Sequence, residues 1–288
     1  MSRIAITGYA SLDHVIVLDG EVQPGRTTTI LSRSVKSWPR LGGGPAYVAL
    51  AVHADSRGAA IPVSWIGADE LGENYVRQLS EQGISGAGMT TVDGARTPIA
   101  VLAYDQAGDC ACLYDPGLPA GIGLDPVQRG LIETSDWVGV TIGPRAVTDQ
   151  LLDLLRDDQK LAWVVKNDPK AITPDLSAAL YERADLVFYN GRERAFLEDA
   201  RAAGRTARDG QIIVETQGRR GALFLRGEES RFVAAEPVEV IDPTGAGDTF
   251  AGGVIAAIMK GETDLETIGR AGNAAARALL LDRKAEES

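Results

Sequence analysis

With 288 residues, 44% of them hydrophobic, the chain is long enough to bury a sizeable core as one large α/β domain or two smaller ones. Its net charge of −11 repels nucleic-acid phosphates and anionic membrane surfaces, and no Lys/Arg-rich block offsets this locally, so neither is expected as a partner. No apolar run is long enough to span a bilayer, and the start of the chain lacks the charged region, apolar core and cleavage site of a signal peptide. The two cysteines, Cys110 and Cys112, would share one face of a strand, a poor geometry for a disulfide. Reduced thiols in a cytoplasmic protein are expected.

In chain order, residues 3–7 read as a buried strand ended by Gly8. Residues 15–18 and 27–35 are β-rich runs around a turn at Pro24-Gly25, a strand pair rather than a strand–helix unit. Gly42-Gly43-Gly44-Pro45 opens a small-residue helix that runs through residue 54. Pro45 costs little in the first turn, where its missing N–H would be unpaired anyway. Residues 63–66 predict a strand and 74–82 a helix. A second β-rich pair covers 98–104 and 109–114, joined by Gln106-Ala107-Gly108. From residue 136 strands at 137–141, 162–165, 186–189, 212–215 and 222–225 alternate with helices at 148–156, 175–182 and 192–202. A strand-like run at 238–241 precedes helices at 250–259 and 265–281, and the charged residues 282–288 are expected to fray. The alternation argues for a mainly parallel sheet covered on both faces. The two early strand pairs form either edge hairpins or a small separate sheet.

The usual phosphate-binding motifs are missing. A P-loop needs a Gly-Lys pair, which does not occur, and the first strand is followed by Gly8-Tyr9-Ala10-Ser11 rather than by a dinucleotide-binding glycine pattern. With only His14 and His53, zinc-protease and Ser-His-Asp schemes have little material. The informative stretch is Asp242-Pro243-Thr244-Gly245-Ala246-Gly247-Asp248-Thr249, between the run at 238–241 and the helix at 250–259. Glycines at such a junction let the backbone turn and bare its N–H groups at the positive end of a helix, which makes an anion site. A carboxylate there, Asp248, suits a base that takes a proton from a hydroxyl while the N–H groups of Gly245, Ala246 and Gly247 hold developing negative charge. The plain alternative is a glycine turn with a capped helix.

The string resembles the signature of the ribokinase-like (PfkB) carbohydrate and nucleoside kinases. The resemblance covers nearly all of residues 1–288 and implies one three-layer α/β/α domain with a central mainly parallel sheet. It also implies a small β-sheet lid built from residues 14–38 and 97–115. Ser11 and Asp13, after the first strand, match the place where these enzymes hold the acceptor with an Asp. Gly42-Gly43-Gly44-Pro45-Ala46-Tyr47 resembles a sugar-binding segment, with Tyr47 where the family usually has Asn. Tyr47 has two readings, a surface that stacks on the acceptor and a core packing residue. Asn190-x-x-Glu193 matches a motif that organises Mg²⁺, through water, and the nucleotide phosphates. Thr216, Gly218 and Gly221 match a nucleotide-lining loop, and Asn273 a helix beside the adenine. Asp242 and Thr244 are candidate ligands for a monovalent cation such as K⁺. The family's Gly-Ala loop after the last helix is replaced here by Leu281-Asp282-Arg283-Lys284.

The resemblance implies transfer of the ATP γ-phosphoryl group to a hydroxyl of a small sugar, polyol or nucleoside, with Asp248 as general base, and a homodimer through the lid strands as a candidate assembly. Two alternatives stand beside it. One is a binding protein that kept the fold and lost the activity, motivated by Tyr47 and the missing loop. The other is a kinase for a pyridoxal-like vitamin, against which Asp13 and the Gly42-Gly43 pair favour a polyol.

Overall fold

The computed structural model describes residues 2–33, 38–55, 59–168 and 171–287. The first half of the chain runs β1 (Ile4–Thr7), β2 (Ser11–Leu18), β3 (Ile30–Arg33), β4 (Arg40–Gly42), α1 (Gly44–Asp55), β5 (Ala60–Gly67), α2 (Glu70–Glu81), β6 (Met89–Val92), β7 (Ile99–Tyr104), β8 (Cys110–Asp115) and α3 (Pro126–Glu133). The second half runs β9 (Trp137–Val140), α4 (Arg145–Leu154), β10 (Lys160–Val164), α5 (Pro174–Arg183), β11 (Leu186–Asn190), α6 (Arg194–Ala202), β12 (Ile212–Thr216), β13 (Gly221–Arg226), β14 (Glu229–Ala234), α7 (Ala246–Met259) and α8 (Leu265–Glu287).

Nine strands make the main sheet, in the order β14-β13-β12-β11-β10-β9-β1-β5-β6. From β12 to β6 every pairing is parallel, and β13 and β14 are antiparallel additions at one edge. Consecutive residues point to opposite faces, so both faces are apolar. Ile4, Ile6, Ala162, Val164, Phe188 and Val214 join the core shared with α1, α7 and α8. Ala5, Val138, Leu161, Trp163, Val187 and Ile213 join the core on the opposite face, under α4, α5 and α6. The result is the three-layer arrangement expected.

The two early strand pairs form a separate sheet rather than edge hairpins. Its path is β3-β2-β7-β8, with β4 also on β2. β2 and β7 run parallel and join the two hairpins into one sheet. β2 begins at Ser11, so Ser11 and Asp13 stand on a strand of this second sheet, not in a loop. The expected strand at 27–35 is shortened to Ile30–Arg33, and residues 34 and 35 fall outside the described residues.

Two expectations are corrected. The run at 238–241 is not a strand and joins no ladder among the described residues; it lies along the wall of a cleft, and its Val238 is buried. The tail at 282–287 does not fray but continues α8, because Arg283 turns inward onto buried partners. Four elements lie outside the expectations: β4, β6, α3 and β14.

Candidate active site

Chain order reverses on either side of β1, with β9 on one side and β5 on the other. Such a switch point opens a crevice at the carboxyl ends of the strands. Lys166 follows the end of β10, Asn190 ends β11, Thr216 ends β12, and the turn into α7 faces them.

Gly245 sits at the N-cap of α7 with φ +83°, which an L side chain resists. A Cβ there would come within 2.5 Å of the Tyr47 ring. The turn therefore needs glycine twice, for its backbone angle and for the phenol beneath it. Ala246 N–H donates to Pro243 O at 3.1 Å and Thr249 N–H to Gly245 O at 2.9 Å. Of the three N–H groups expected to face an anion, that of Ala246 is thus engaged within the turn. Asp248 is buried in the first turn of α7; its Oδ2 accepts from Lys166 Nζ at 2.8 Å, while Oδ1 is buried with no hydrogen-bond partner among the described residues. Burial lowers the Lys166 pKa, but Asp248 beside it outweighs this, so the ammonium is held charged above its ordinary range.

Around the corner, Glu193 Oε2 accepts the Asn190 N–H at 2.9 Å, and Asn190 Oδ1 accepts the Arg192 N–H at 2.8 Å. These are local turn bonds, the plain reading of Asn-x-x-Glu. They also fix the Glu193 carboxylate beside Lys166 and Asp248, and burial raises its pKa. Among the described residues no three His, Cys, Asp or Glu groups converge as a metal cage. Glu193 and Asp248 put two carboxylates at this corner, a donor set that fits a Mg²⁺ keeping several of its waters.

A cleft of about 750 Å³ opens beside this corner. Asn190, Thr216, Gly218, Gly221 and Asn273 all line it, together with Gly247. In the sequence these five residues fall in three separate segments. Gly218 begins a short 3-10 turn, Gly218–Arg220, between β12 and β13, and Asn273 Nδ2 donates to Ala234 O at 3.0 Å from α8. The tip of the β7–β8 hairpin, Gln106 to Gly108, closes one side of the cleft.

The residues expected on the acceptor side meet under the second sheet. Asp13 is 3% exposed; its Oδ1 accepts from Ser11 Oγ at 2.6 Å and its Oδ2 from Tyr47 OH at 3.4 Å. Burial pushes its pKa up to about 6. A Cβ on Gly42 would collide with this carboxylate, so the glycine at that place is what leaves it room. Gly43 is the left-handed turn residue before α1, with φ +89°. Tyr47 is 4% exposed and lies with its ring under Gly245 and its hydroxyl on Asp13, inside the protein. His14 follows Asp13 on β2 and so projects to the opposite face, where its ring meets Trp38 edge-on at 4.9 Å.

Asp242 is held tightly. Its Oδ1 accepts the Thr244 N–H at 3.0 Å, and its Oδ2 lies 2.5 Å from Arg40 Nη2 and 3.9 Å from Arg283 Nε. The Thr244 hydroxyl is shared with Tyr104 OH at 2.5 Å. Burial alone would raise the Asp242 pKa; Arg40 and Thr244 outweigh it and hold it below the usual carboxylate range. A potassium ion does not fit this arrangement, since guanidinium groups already face the carboxylate. Nothing in the sequence assigns Lys166, Arg40 or Arg283 to these carboxylates. Each meets its carboxylate only through the tertiary fold, and no local spacing announces the contact.

The chain belongs to the pfkB family of carbohydrate kinases, whose family model matches residues 1–288. It is 28% identical over 226 residues to the ATP-dependent ribose-1-phosphate kinase of Halopiger xanaduensis, covering 77% of this chain and 75% of that protein. It is 27% identical over 292 residues to the cytidine kinase of Thermococcus kodakarensis, covering 97% and 96%. The crystal structure of the Thermotoga maritima ribokinase superposes with a TM-score of 0.76 at 20% identity, over 96% of this chain and 92% of that one.

Proposed function

We propose that this chain transfers the γ-phosphoryl group of ATP to a hydroxyl of a small sugar, polyol or nucleoside, with Asp248 as the general base. The observation that carries the reading is the division of labour on Asp248: Oδ2 is tied to Lys166 while Oδ1, at the start of α7, has no hydrogen-bond partner among the described residues. In the reaction the acceptor oxygen forms a bond to the γ-phosphorus and the bond to the β,γ-bridging oxygen breaks. The acceptor proton passes to Asp248 Oδ1 late, as the new P–O bond forms. Backbone N–H groups of Gly245 and Gly247 stabilise the charge that develops on the phosphoryl oxygens. Mg²⁺ bound to the nucleotide supplies charge neutralisation, and Glu193 with Asn190 would hold it through water.

Asn190, Thr216, Gly218, Gly221 and Asn273 form the ATP site in this reading, and Ser11, Asp13, Gly42, Gly43 and Tyr47 form the acceptor site. Tyr47 acts from beneath, as the support of Asp13 and Gly245. The second sheet acts as a lid that excludes water from the transfer. Its edge strands β3 and β8 expose Ile30, Leu31 and Leu113, which supports a second copy of the chain as their cover. Asp242 and Thr244 serve a structural role, and the reaction needs no potassium.

The test is a panel of sugars, polyols, nucleosides and pyridoxal with ATP, run on wild type and Asp248→Asn. Phosphorylated sugar or nucleoside, lost by about a hundredfold or more in Asp248→Asn with ATP binding retained, is the expected result. An Asn variant with near wild-type turnover removes the mechanism. A wild type that phosphorylates nothing favours the binding-protein reading, and product from pyridoxal alone favours the vitamin kinase.

A further inference from the structure

The tail of α8 carries a feature with no counterpart in the local sequence pattern. Asn273, Ala276, Arg277 and Leu280 line the nucleotide cleft at the three- and four-residue spacing of one helix face. Arg283, three residues further, leaves the cleft and points into the acceptor side. Its side chain is 11% exposed. Its Nη2 donates to Tyr47 OH at 3.5 Å, and its Nε lies 3.9 Å from Asp242 Oδ2. Tyr47 in turn donates to Asp13 and supports Gly245, while Asp242 opens the turn that carries Asp248. One guanidinium thus touches the supports of both halves of the site.

We infer that Arg283 is a positioning residue for phosphoryl transfer, fixing Tyr47 and Asp242 so that Asp13 is held for the acceptor by the helix that lines the nucleotide cleft. The inference rests on the kinase reading. Tyr47 on α1 and Arg283 on α8 are the two ends of one contact across the site.

The charges around Asp13 make the role measurable. The carboxylate is surrounded by Ser11 on its own strand, Arg40 on β4, Asp242 before α7 and Arg283 on α8. Tyr47 on α1, Tyr75 on α2, and Cys112 and Tyr114 on β8 complete the surround. Arg40 and Arg283 are its cations, and both favour its ionised form. Removing Arg283 therefore makes Asp13 harder to ionise, and an acceptor hydroxyl loses its partner at a higher pH.

The experiment compares wild type, Arg283→Met and Arg283→Lys. It measures ADP binding by calorimetry, the KM for ribose, fructose and cytidine as acceptor probes, and the pH dependence of the ligand-free melting temperature. Arg283→Met is expected to bind ADP within about threefold of wild type and to raise acceptor KM about tenfold or more. The pH midpoint of that KM should move up by about one unit, with Arg283→Lys between. An unchanged acceptor KM and midpoint, or an equal loss of ADP affinity, overturns the inference. If none of the probes is turned over, the melting curves still decide. Arg283→Met must shift the pH dependence upward when Asp13 is present and leave it unmoved in an Asp13→Asn background; the same curves in both backgrounds overturn it. Should Arg283→Met fail to fold, Arg283→Lys carries the same comparison.

Discussion

Lys166 Nζ lies 2.8 Å from Asp248 Oδ2, across a gap of 82 residues, and joins the end of β10 to the start of α7. A single carboxylate oxygen is thereby fixed, and in the proposed mechanism the other receives the acceptor proton. Without the ammonium, Asp248 would lose the contact that holds its orientation. Lys166→Met should lower kcat by about a hundredfold while changing the KM for ATP less than about threefold. Lys166→Arg should recover part of the loss. Steady-state kinetics at saturating acceptor checks this, and a Met variant with wild-type kcat would remove Lys166 from the mechanism.

Asp13 gives the site a pH signature. Its carboxyl protonates at about 6 in the folded chain against an ordinary 3.8. The folded state binds this proton more tightly than the unfolded chain, so its contribution to stability is fully present below pH 3.8 and is lost as pH rises through about 6. The difference of about two units corresponds to about 3 kcal/mol at neutral pH. Asp13→Asn should remove that penalty and raise the melting temperature at pH 7.5 by about 5 °C. Acceptor phosphorylation should nonetheless fall by about a hundredfold or more, because an amide replaces one of the two accepting carboxylate oxygens by a donating NH2 group. A melting temperature below wild type would contradict the burial cost assigned to this carboxylate.

Gly245 and Tyr47 constrain each other. Gly245→Ala would meet both a left-handed backbone and the phenol ring within 2.5 Å of the new methyl group. The backbone cost is about 1–2 kcal/mol and the overpacking adds about 1–3 kcal/mol. Denaturant unfolding should show that loss. A Tyr47→Leu background should restore part of the packing cost but not the backbone cost, and full restoration would mean that the left-handed angle carries none of it.

Arg40 and Asp242 predict independence from monovalent cations. Their groups lie 2.5 Å apart and both side chains are buried. Removing one partner of such a pair strands the other charge, at a cost of about 3–5 kcal/mol. Turnover in potassium, sodium and tetramethylammonium salts at equal ionic strength should agree within about twofold. A strong potassium requirement would show that Asp242 leaves Arg40 when substrates bind.

Much of this was legible in the sequence, for identifiable reasons. The alternating β/α half announced itself by buried apolar runs, and the turn at Gly245 to Asp248 by glycines that have no other use before a helix. The helix Pro126–Glu133 carries a capping-box start: Asp125 Oδ1 accepts the Gln128 N–H and Gln128 Oε1 accepts the Asp125 N–H. β14 is a charged edge strand, mostly exposed, and gives no alternating pattern to read. β4 is three residues long and exists because β2 pairs with it. The run at 238–241 has strand composition but joins no strand ladder among the described residues, which composition cannot reveal. The charge partners Lys166, Arg40 and Arg283 were unreadable because the fold alone brings them to their carboxylates.

Leu113 offers the check on assembly. It stands on β8, an edge of the second sheet, 67% exposed. Cys112 beside it lies within reach of the Asp13 charge, so alternation turns Leu113 to the face away from the site. Ile30 and Leu31 on the other edge strand are 53% and 52% exposed. Apolar edge strands left open invite pairing with another chain, and a second copy brings the same surface. Sedimentation equilibrium should find a dimer for wild type and a monomer for Leu113→Glu, since a buried unpaired carboxylate at the contact costs several kcal/mol, about enough to raise the dissociation constant a hundredfold or more. A monomeric wild type, or a dimer undisturbed by Leu113→Glu, would place the contact elsewhere or nowhere.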